Sequence, residues 1–425
     1  MPISLAEHEY RRLYAATKVI FILLSYILWI DALTGMLQFY GGIDLKISLL
    51  YKLPLIAYML VIIALKSRII LILTIIATIF LIIGPIFKYA NNSKTAFLFN
   101  DISLAIKVLT PFITFYFCKT IAEIFPDILG EYGIKALWLN FLAILFNLTL
   151  GAFGFGYPSY GGGEDGQGIG VNGFYVAGNE LSGCFVLLFG FVLHHCWNYN
   201  RFYFYPFSLL TIVCGALIAT KTAMIASLVL VFFLPIFNER KYIFHLTSLK
   251  IKLFFPLLVC AALTTYFIID FLQTIGLYDK IVWILQENGV LGLILSGRIE
   301  FSTKIIEAFM SNAGWFEYLF GIGTVGMSDY FTTKYSAEVD PVDLFVYVGV
   351  VGSAIVYISV FLMMLPSILM FKRDRFLPPI IVLVNLILLM LCVFSGHVLN
   401  SGMLGLIWGL FNGLLFVKPA LLKHQ

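Results

Sequence analysis

The chain has 425 residues, of which 61% are hydrophobic and 12% are charged. Soluble domains carry about 25% charged residues, so no soluble fold could bury this much apolar side chain. The composition therefore predicts an all-α polytopic membrane protein. The net charge of +4 is small, and no basic patch interleaved with aromatic residues is present, which argues against a nucleic-acid partner.

The first apolar run begins near Val19, after a polar and charged stretch, which predicts a retained membrane span rather than a cleaved signal peptide. A span needs about 20 mostly apolar residues. We place twelve spans at 19–37, 47–65, 69–87, 97–118, 136–152, 174–195, 203–219, 221–237, 253–269, 342–370, 376–394 and 398–417. We treat residues 1–425 as a single integral-membrane domain, with one large loop, 270–341, between spans 9 and 10.

Lysine and arginine placement predicts the orientation, because cytoplasmic loops carry an excess of these residues. The clusters Lys66/Arg68, Arg240/Lys241 and Lys372/Arg373/Arg375 all fall on one side of the predicted spans. Both termini are then cytoplasmic in a bacterial inner membrane, and the 270–341 loop, with its amphipathic helices, is periplasmic. The Lys221 turn, the 151–173 loop and the 395–397 turn face the same compartment, so we expect them to converge on one cavity.

No cofactor or metal ion is expected. None of the six cysteines forms a C-x-x-C pair, and all lie in or beside apolar runs, which is typical of buried packing residues. The cytoplasmic loops contain neither a P-loop nor a dinucleotide-binding fingerprint. No internal repeat indicates an inverted-repeat transporter.

Two basic residues are candidates for binding a phosphate group. Ser296 can cap a helix that places Arg298 in its first turn, where free N–H groups and a guanidinium face the same anion. Lys221 lies between two apolar segments on the predicted outer face and can contact a phosphate as a point charge. The structural alternatives are an arginine that anchors a surface helix to head groups and a simple turn between spans.

Asp340 and Asp343 flank Pro341 and Val342 at the start of the tenth predicted span. With Asp340 as the N-cap and Pro341 in the first helical position, both acids would complement the helix dipole. The catalytic alternative is that Glu338, Asp340 or Asp343 acts as a general base toward a sugar hydroxyl.

Glu180 and His397 are further catalytic candidates. Glu180 lies within a predicted span, where an ionisable residue is costly and often functional, although an interhelical hydrogen bond is the simpler explanation. His397 lies at an outer turn and can bind phosphate or exchange a proton, unless its role is structural. The 151–173 loop holds 10 glycines in 23 residues, and its Tyr157 and Tyr160 can stack on sugars if the loop is more than a linker.

The order of the short motifs resembles the O-antigen ligase/polymerase superfamily, specifically the Wzy-type polysaccharide polymerases. The matching segments are Gly178-Asn179-Glu180-Leu181-Ser182, Thr220-Lys221-Thr222-Ala223, Ser296-Gly297-Arg298, Gly321-Ile322-Gly323, Asp340 with Asp343-Leu344-Phe345, Gly349-Val350-Val351-Gly352 and Ser395-Gly396-His397. The similarity covers roughly residues 174–400.

This resemblance implies a membrane glycosyltransferase that moves a growing glycan from undecaprenyl diphosphate onto the non-reducing end of a lipid-linked repeat unit. It also implies that Lys221 and Arg298 hold the diphosphate, and that a chain-length regulator and a flippase are partners. O-antigen ligases, which use lipid A–core as acceptor, carry a histidine near the start of the span after the large loop. Asp340 and Asp343 stand there instead, which favours a polymerase.

The alternatives are an O-antigen ligase, a flippase for lipid-linked oligosaccharides and a non-catalytic component of an export complex. A flippase would place its charged residues along a central path at mid-membrane depth. The main candidates here cluster at the predicted outer face, which favours an enzyme.

Overall fold

The computed structural model describes residues 7–418 except 44, 93–94, 161–167, 249, 253–281, 283–284, 287–297, 332–333 and 374–375. The predicted ninth span, the proposed cap Ser296 and most of the 270–341 loop before Arg298 lie outside the described residues. The described helices come from two stretches of the chain, residues 7–252 and 298–418, which pack against each other.

The helices are α1 (Glu7–Leu24), α2 (Ile27–Gly41), α3 (Ile47–Lys66), α4 (Arg68–Asn92), α5 (Thr95–Ile124), α6 (Pro126–Ala152), α7 (Gly178–Tyr199), α8 (Arg201–Ile218), α9 (Lys221–Asn238), α10 (Arg298–Asn312), α11 (Trp315–Phe320), α12 (Gly323–Met327), α13 (Asp340–Leu369), α14 (Pro378–Phe394) and α15 (Leu404–Gly413). Short 3-10 turns follow α9 at Arg240–Tyr242 and α15 at Leu414–Phe416.

Among the described residues, eight helices, α3 to α9 and α13, are long and apolar enough to cross a membrane. The count rises to nine if α1 and α2, which meet at a bend of 49°, form one span. The chain is therefore a helical membrane protein, as its composition predicted. The count of twelve stays a prediction, because the ninth span is not described and the apolar helices α14 and α15 are shorter than the others.

Several helix boundaries differ from the apolar runs for physical reasons. Helix α6 begins at Pro126, ten residues before the predicted span, because a proline in the first turn and Asp127 beside it favour a helix start. The last predicted span begins at 398, but α15 begins only at Leu404. Residues 395–403 instead form a loop whose backbone and hydroxyl groups bind the carboxylates of Asp340 and Glu180.

Helix α7 forms the centre of the described bundle. It packs against α6, α8, α9, α14 and α15. In its apolar segment, 83% of the residues are buried inside the protein. Beside it, α15 packs closely on α5, where Gly405, Gly409 and Gly413 face Thr110, Thr114 and Cys118. Glycines at this four-residue spacing let two membrane helices approach each other, so dispersion contacts stabilise the pair.

The Gly321-Ile322-Gly323 motif fits into a crevice between α4, α5 and α13. The Ile322 amide donates to the Val346 carbonyl at 3.0 Å. Gly321 has a φ of 75°, and a side chain there would collide with the backbone of Tyr347. The Asp101 carboxylate of α5 accepts hydrogen bonds from the Thr324 amide (2.7 Å) and hydroxyl (2.8 Å) at the start of α12. These contacts give the motif a structural role.

The N-terminal ends of α7, α9 and α13 lie together at one end of the bundle, although α13 is kinked at Gly349, whose φ is 68°. Residues at or just before their N-terminal ends, Asn179, Lys221 and Glu338, line one cavity. Residues at or just after their C-terminal ends line cavities at the other end of the bundle. The three helices thus bring three N-termini, and the partial positive charge of each, to the same end.

Candidate functional site

A polar cavity of about 250 Å³ lies at the N-terminal ends of α7, α9 and α13. The described residues that line it come from segments that are far apart in the sequence. The lining residues are Tyr160, Asn179, Lys221, Thr222, Arg298, Phe301, Lys334, Glu338, Phe394 and Ser395. Among these residues, three cationic side chains face one carboxylate, so the cavity carries a net positive charge.

Arg298 is the first described residue of α10, and its predicted place in the first turn stays a prediction because the residues before it lie outside the described chain. Its guanidinium donates to the Phe394 carbonyl, and its Nη2 donates to Glu338 Oε2 at 3.0 Å. Lys334 contacts the other carboxylate oxygen of Glu338 at 3.0 Å and also lies over the Phe301 ring. The two cations therefore bind the two oxygens of one carboxylate, and the same arrangement can bind two oxygens of a phosphate group.

Glu338 is the counter-ion of this pair of cations. Burial acts to raise the pKa of its carboxyl, but hydrogen bonds and charge from Lys334 and Arg298 outweigh that effect and hold the pKa below its usual range. The residue also has a φ of 58°, in the left-handed region that costs energy for a residue with a side chain. Glu338 is thus ionised at neutral pH, and its backbone is strained at the cavity wall.

Lys221 is the first residue of α9 and lies at the junction between this helix and α8. Ala219 has a φ of 58°, and the Thr220 hydroxyl caps α9 by accepting from the Ala223 amide at 3.1 Å. Thr220 is fixed in turn by the Ser182 hydroxyl of α7 at 3.0 Å. The helix N-terminus and the lysine ammonium are therefore presented together to the cavity, which suits an anion.

The two tyrosines of the glycine-rich loop occupy different places. Tyr160 lines the cavity, and burial is the main cause that raises the pKa of its phenol, so the hydroxyl is a neutral donor. Tyr157 packs its ring against Phe39, with 4.9 Å between ring centroids, and is not among the described lining residues. The structure therefore brings three of the four predicted binding residues, Lys221, Arg298 and Tyr160, to one cavity.

The two aspartates at the start of α13 bind backbone N–H groups. Asp340 accepts from the amides of His397 (2.6 Å), Val398 (2.9 Å) and Leu399 (2.9 Å), which belong to the loop between α14 and α15. The N-cap of α13 is Val339 rather than Asp340, so Asp340 stabilises a neighbouring loop in addition to its own helix.

Asp343 accepts from the Ser336 hydroxyl (2.6 Å) and from the amides of Ala337 (2.6 Å) and Glu338 (3.1 Å). It thereby fixes the segment that carries Glu338 into the cavity. Both aspartates are buried, with 2% of their surface exposed. This geometry fits a structural role in holding the two adjoining loop segments, and neither carboxylate lines the cavity.

Glu180 and His397 are also tied to this loop. Glu180 Oε2 accepts hydrogen bonds from the Ser401 hydroxyl at 2.6 Å and the Met403 amide at 3.0 Å. It therefore holds the residues that directly precede α15. His397 has a φ of 61°, and its Nδ1 atom is buried with no hydrogen-bond partner among the described residues. Gly396, beside it, lies against the Glu338 backbone. The loop therefore supports the cavity wall from behind.

Lys334 is a cavity residue that the sequence interpretation missed. Residues 334–339 are not helical, so no helical spacing predicts this ion pair, and only the folded chain brings Lys334 to Glu338. No group of three histidine, cysteine, aspartate or glutamate side chains in the described chain is arranged to hold a metal ion.

An apolar groove of about 500 Å³ adjoins the polar cavity, between α9 and α14. It is lined by Lys221, Thr222, Met224, Ile225, Ala226, Val229, Ile387, Met390, Leu391 and Phe394. Lys221, Thr222 and Phe394 line both spaces. A ligand can therefore hold an anionic group in the cavity while a hydrocarbon chain lies in the groove along the two membrane helices.

In comparisons with known proteins, no protein-family model, curated protein or solved structure matches the chain.

Proposed function

We propose that this protein is a membrane glycosyltransferase that polymerises a polysaccharide. It transfers a growing glycan from undecaprenyl diphosphate to the non-reducing end of a lipid-linked repeat unit, at the periplasmic face of a bacterial inner membrane. The observation that carries this proposal is the junction of a basic cavity with an apolar groove, joined through Lys221, Thr222 and Phe394. A polyprenyl diphosphate has this same combination of a dianionic head and a long apolar tail.

The cations of the cavity supply the chemistry that a diphosphate leaving group needs. As the bond between the anomeric carbon and the phosphate oxygen breaks, the electron pair and negative charge move onto the diphosphate. Arg298 and Lys334 are held in place by Glu338 before the reaction, so they stabilise this developing charge with little reorganisation, and Lys221 adds a third positive charge to the same cavity. Tyr160 and Asn179 can orient sugar hydroxyls from the same wall.

Glu338 is the acid that best suits the role of base. The diphosphate takes its place between Arg298 and Lys334, which leaves the carboxylate free beside the reaction centre. The acceptor hydroxyl oxygen then bonds to the anomeric carbon, and its proton passes to Glu338. Asp340 and Asp343 are less suited, since their oxygens are occupied by backbone N–H groups.

A reconstitution experiment tests the activity. The purified chain in lipid nanodiscs, supplied with a synthetic undecaprenyl-diphosphate-linked repeat unit, should produce a ladder of longer lipid-linked glycans and release undecaprenyl diphosphate. No ladder from folded protein would contradict polymerase activity. Transfer only after lipid A–core is added would identify a ligase instead.

A ligase is the second candidate, and one observation favours it. The backbone of His397 donates to Asp340, so the loop brings a histidine to the start of α13, the place where ligases carry one. A flippase is less well supported by the described part of the chain. There Asp31 is paired with Lys52, and Asp101 and Glu180 accept backbone hydrogen bonds, so these acids do not form an open path.

Blocking the groove tests the place of the lipid tail. Val229 is half-buried and lines the groove but not the polar cavity. Val229→Trp should raise the KM for an undecaprenyl-linked donor by about tenfold, the equivalent of roughly 1.4 kcal/mol of lost apolar contact. A donor with a short farnesyl tail should be affected less than about twofold.

The matched control is Val213→Trp, which changes an exposed valine of α8 outside the groove and should leave both KM values unchanged. Equal KM values for Val229→Trp and wild type with the long-tailed donor would place the tail elsewhere.

A further inference from the structure

A second polar cavity, of about 360 Å³, lies at the end of the bundle opposite the proposed active site. Its described lining residues are Asn198, Asn238, Glu239, Arg240, Lys241, Tyr242 and Lys372. They follow or end α7, α9 and α13, the same three helices whose N-terminal ends form the first cavity. Three cations face one carboxylate among these residues, and the Glu239 carboxylate already accepts from the Thr247 hydroxyl at 2.6 Å.

The floor of this cavity is preorganised. Asn198 donates to Asn238 Oδ1 at 3.1 Å, and Asn238 also donates to the Leu234 carbonyl at 2.9 Å. Behind them, buried His194 lies 2.8 Å from the Phe376 carbonyl, which fixes the ring against the chain just before α14. These hydrogen bonds fix the positions of the polar side chains before a ligand binds.

Two lysines lie at the rim of this cavity. Lys241 and Lys372 make no ion pair or hydrogen bond within the described chain and are exposed. They come from different segments, one after α9 and one after α13, and meet at one cavity. Ammonium groups brought together in this way repel each other unless an anion lies between them.

The segment that follows α9 exposes three large apolar or aromatic side chains, of which Tyr242 lines the cavity and the other two lie two and four residues further along the chain. Phe244 is 98% exposed, Leu246 is 83% exposed and Tyr242 is 58% exposed. A soluble anion in the cavity would leave these side chains in water. A phospholipid covers both features, since its phosphate meets the lysines and its acyl chains meet the apolar residues.

We infer that this cavity binds the phosphate of an anionic phospholipid, with the acyl chains beside Phe244 and Leu246. The inference is independent of the proposed glycosyltransferase activity, because it rests on residues at the other end of the bundle. The bound lipid would join the C-terminal ends of α9 and α13. At their N-terminal ends, Lys221 begins α9 and Glu338 lies two residues before α13.

The experiment measures lipid binding to the full-length protein after delipidation in detergent. Phosphatidylglycerol is titrated and the bound complex is counted by native mass spectrometry. Lys241→Gln/Lys372→Gln should weaken binding of phosphatidylglycerol by about 30-fold, since each lysine beside an anionic lipid contributes roughly a fivefold factor. Lys241→Arg/Lys372→Arg should restore binding, because it keeps both charges.

The matched control is Lys66→Gln/Lys135→Gln. It removes two cations from the same end of the bundle, each paired with a glutamate, and should leave binding unchanged. Equal loss in the control would reduce the effect to net charge and overturn the site. Equal binding of phosphatidylcholine, or displacement of the lipid by millimolar inorganic phosphate, would overturn the assignment to an anionic lipid.

Discussion

Arg298→Ala is expected to reduce glycan chain growth by about 100- to 1000-fold, the usual loss when one preorganised donor to a developing charge is removed. Arg298 contacts both the Phe394 carbonyl and Glu338, so its guanidinium is fixed at the wall of the basic cavity. The measurement is the initial rate of consumption of the lipid-linked repeat unit by purified protein. Arg298→Lys should recover part of the rate, since it keeps the charge but not the planar fork.

Arg201→Ala is the matched control for this loss. Arg201 stacks on Trp197 at the other end of α7, with 4.6 Å from its guanidinium carbon to the ring centroid. Removing it takes away the same charge far from the cavity and should leave the rate within about twofold, the small effect typical of a surface substitution. A wild-type rate in Arg298→Ala would refute its assignment to the diphosphate.

Asp340→Ala should lower the free energy of unfolding by about 4 kcal/mol, because three buried N–H groups lose a charged acceptor at once. The carboxylate joins the start of α13 to the amides of residues 397–399. Thermal unfolding of the purified protein, followed by circular dichroism, measures the change. Unfolding like that of the wild type would show that the three hydrogen bonds contribute little.

Asp340→Asn separates the structural role from the catalytic one. The asparagine keeps the shape of the side chain but loses its charge and one acceptor oxygen, so stability should fall by a smaller amount. Glu338→Gln should instead keep the melting temperature near the wild-type value while the transfer rate falls, which is the signature of a base. A stable but inactive Asp340→Asn protein would return the role of base to Asp340.

The positions of the long helices follow from local properties of the sequence. An apolar run of about 20 residues must satisfy its backbone hydrogen bonds within itself when it lies in lipid, so hydropathy alone predicts α3 to α9 and α13. That Arg298 lies on a helix was predicted for a similarly local reason, the spacing of the apolar residues that follow it.

The bend between α1 and α2 and the late start of α15 were not predicted, because both depend on packing. Residues 398–403 were predicted to belong to the last membrane span. Glu180 and Asp340 instead bind their amides and hydroxyls, and these carboxylates are 221 and 57 residues away from their partners Ser401 and His397. A pattern in neighbouring residues cannot predict hydrogen bonds between residues so far apart in the sequence.

The sequence by itself determined that this is a helical membrane protein and which basic residues were candidates for a phosphate. Only the tertiary structure decided that Lys221, Arg298, Lys334 and Glu338 meet in one cavity, and that an apolar groove opens beside it. The physical reason is that hydrophobic burial depends on each residue and its near neighbours, whereas a site requires side chains from distant segments. Their meeting is fixed by how the helices pack, not by their order along the chain.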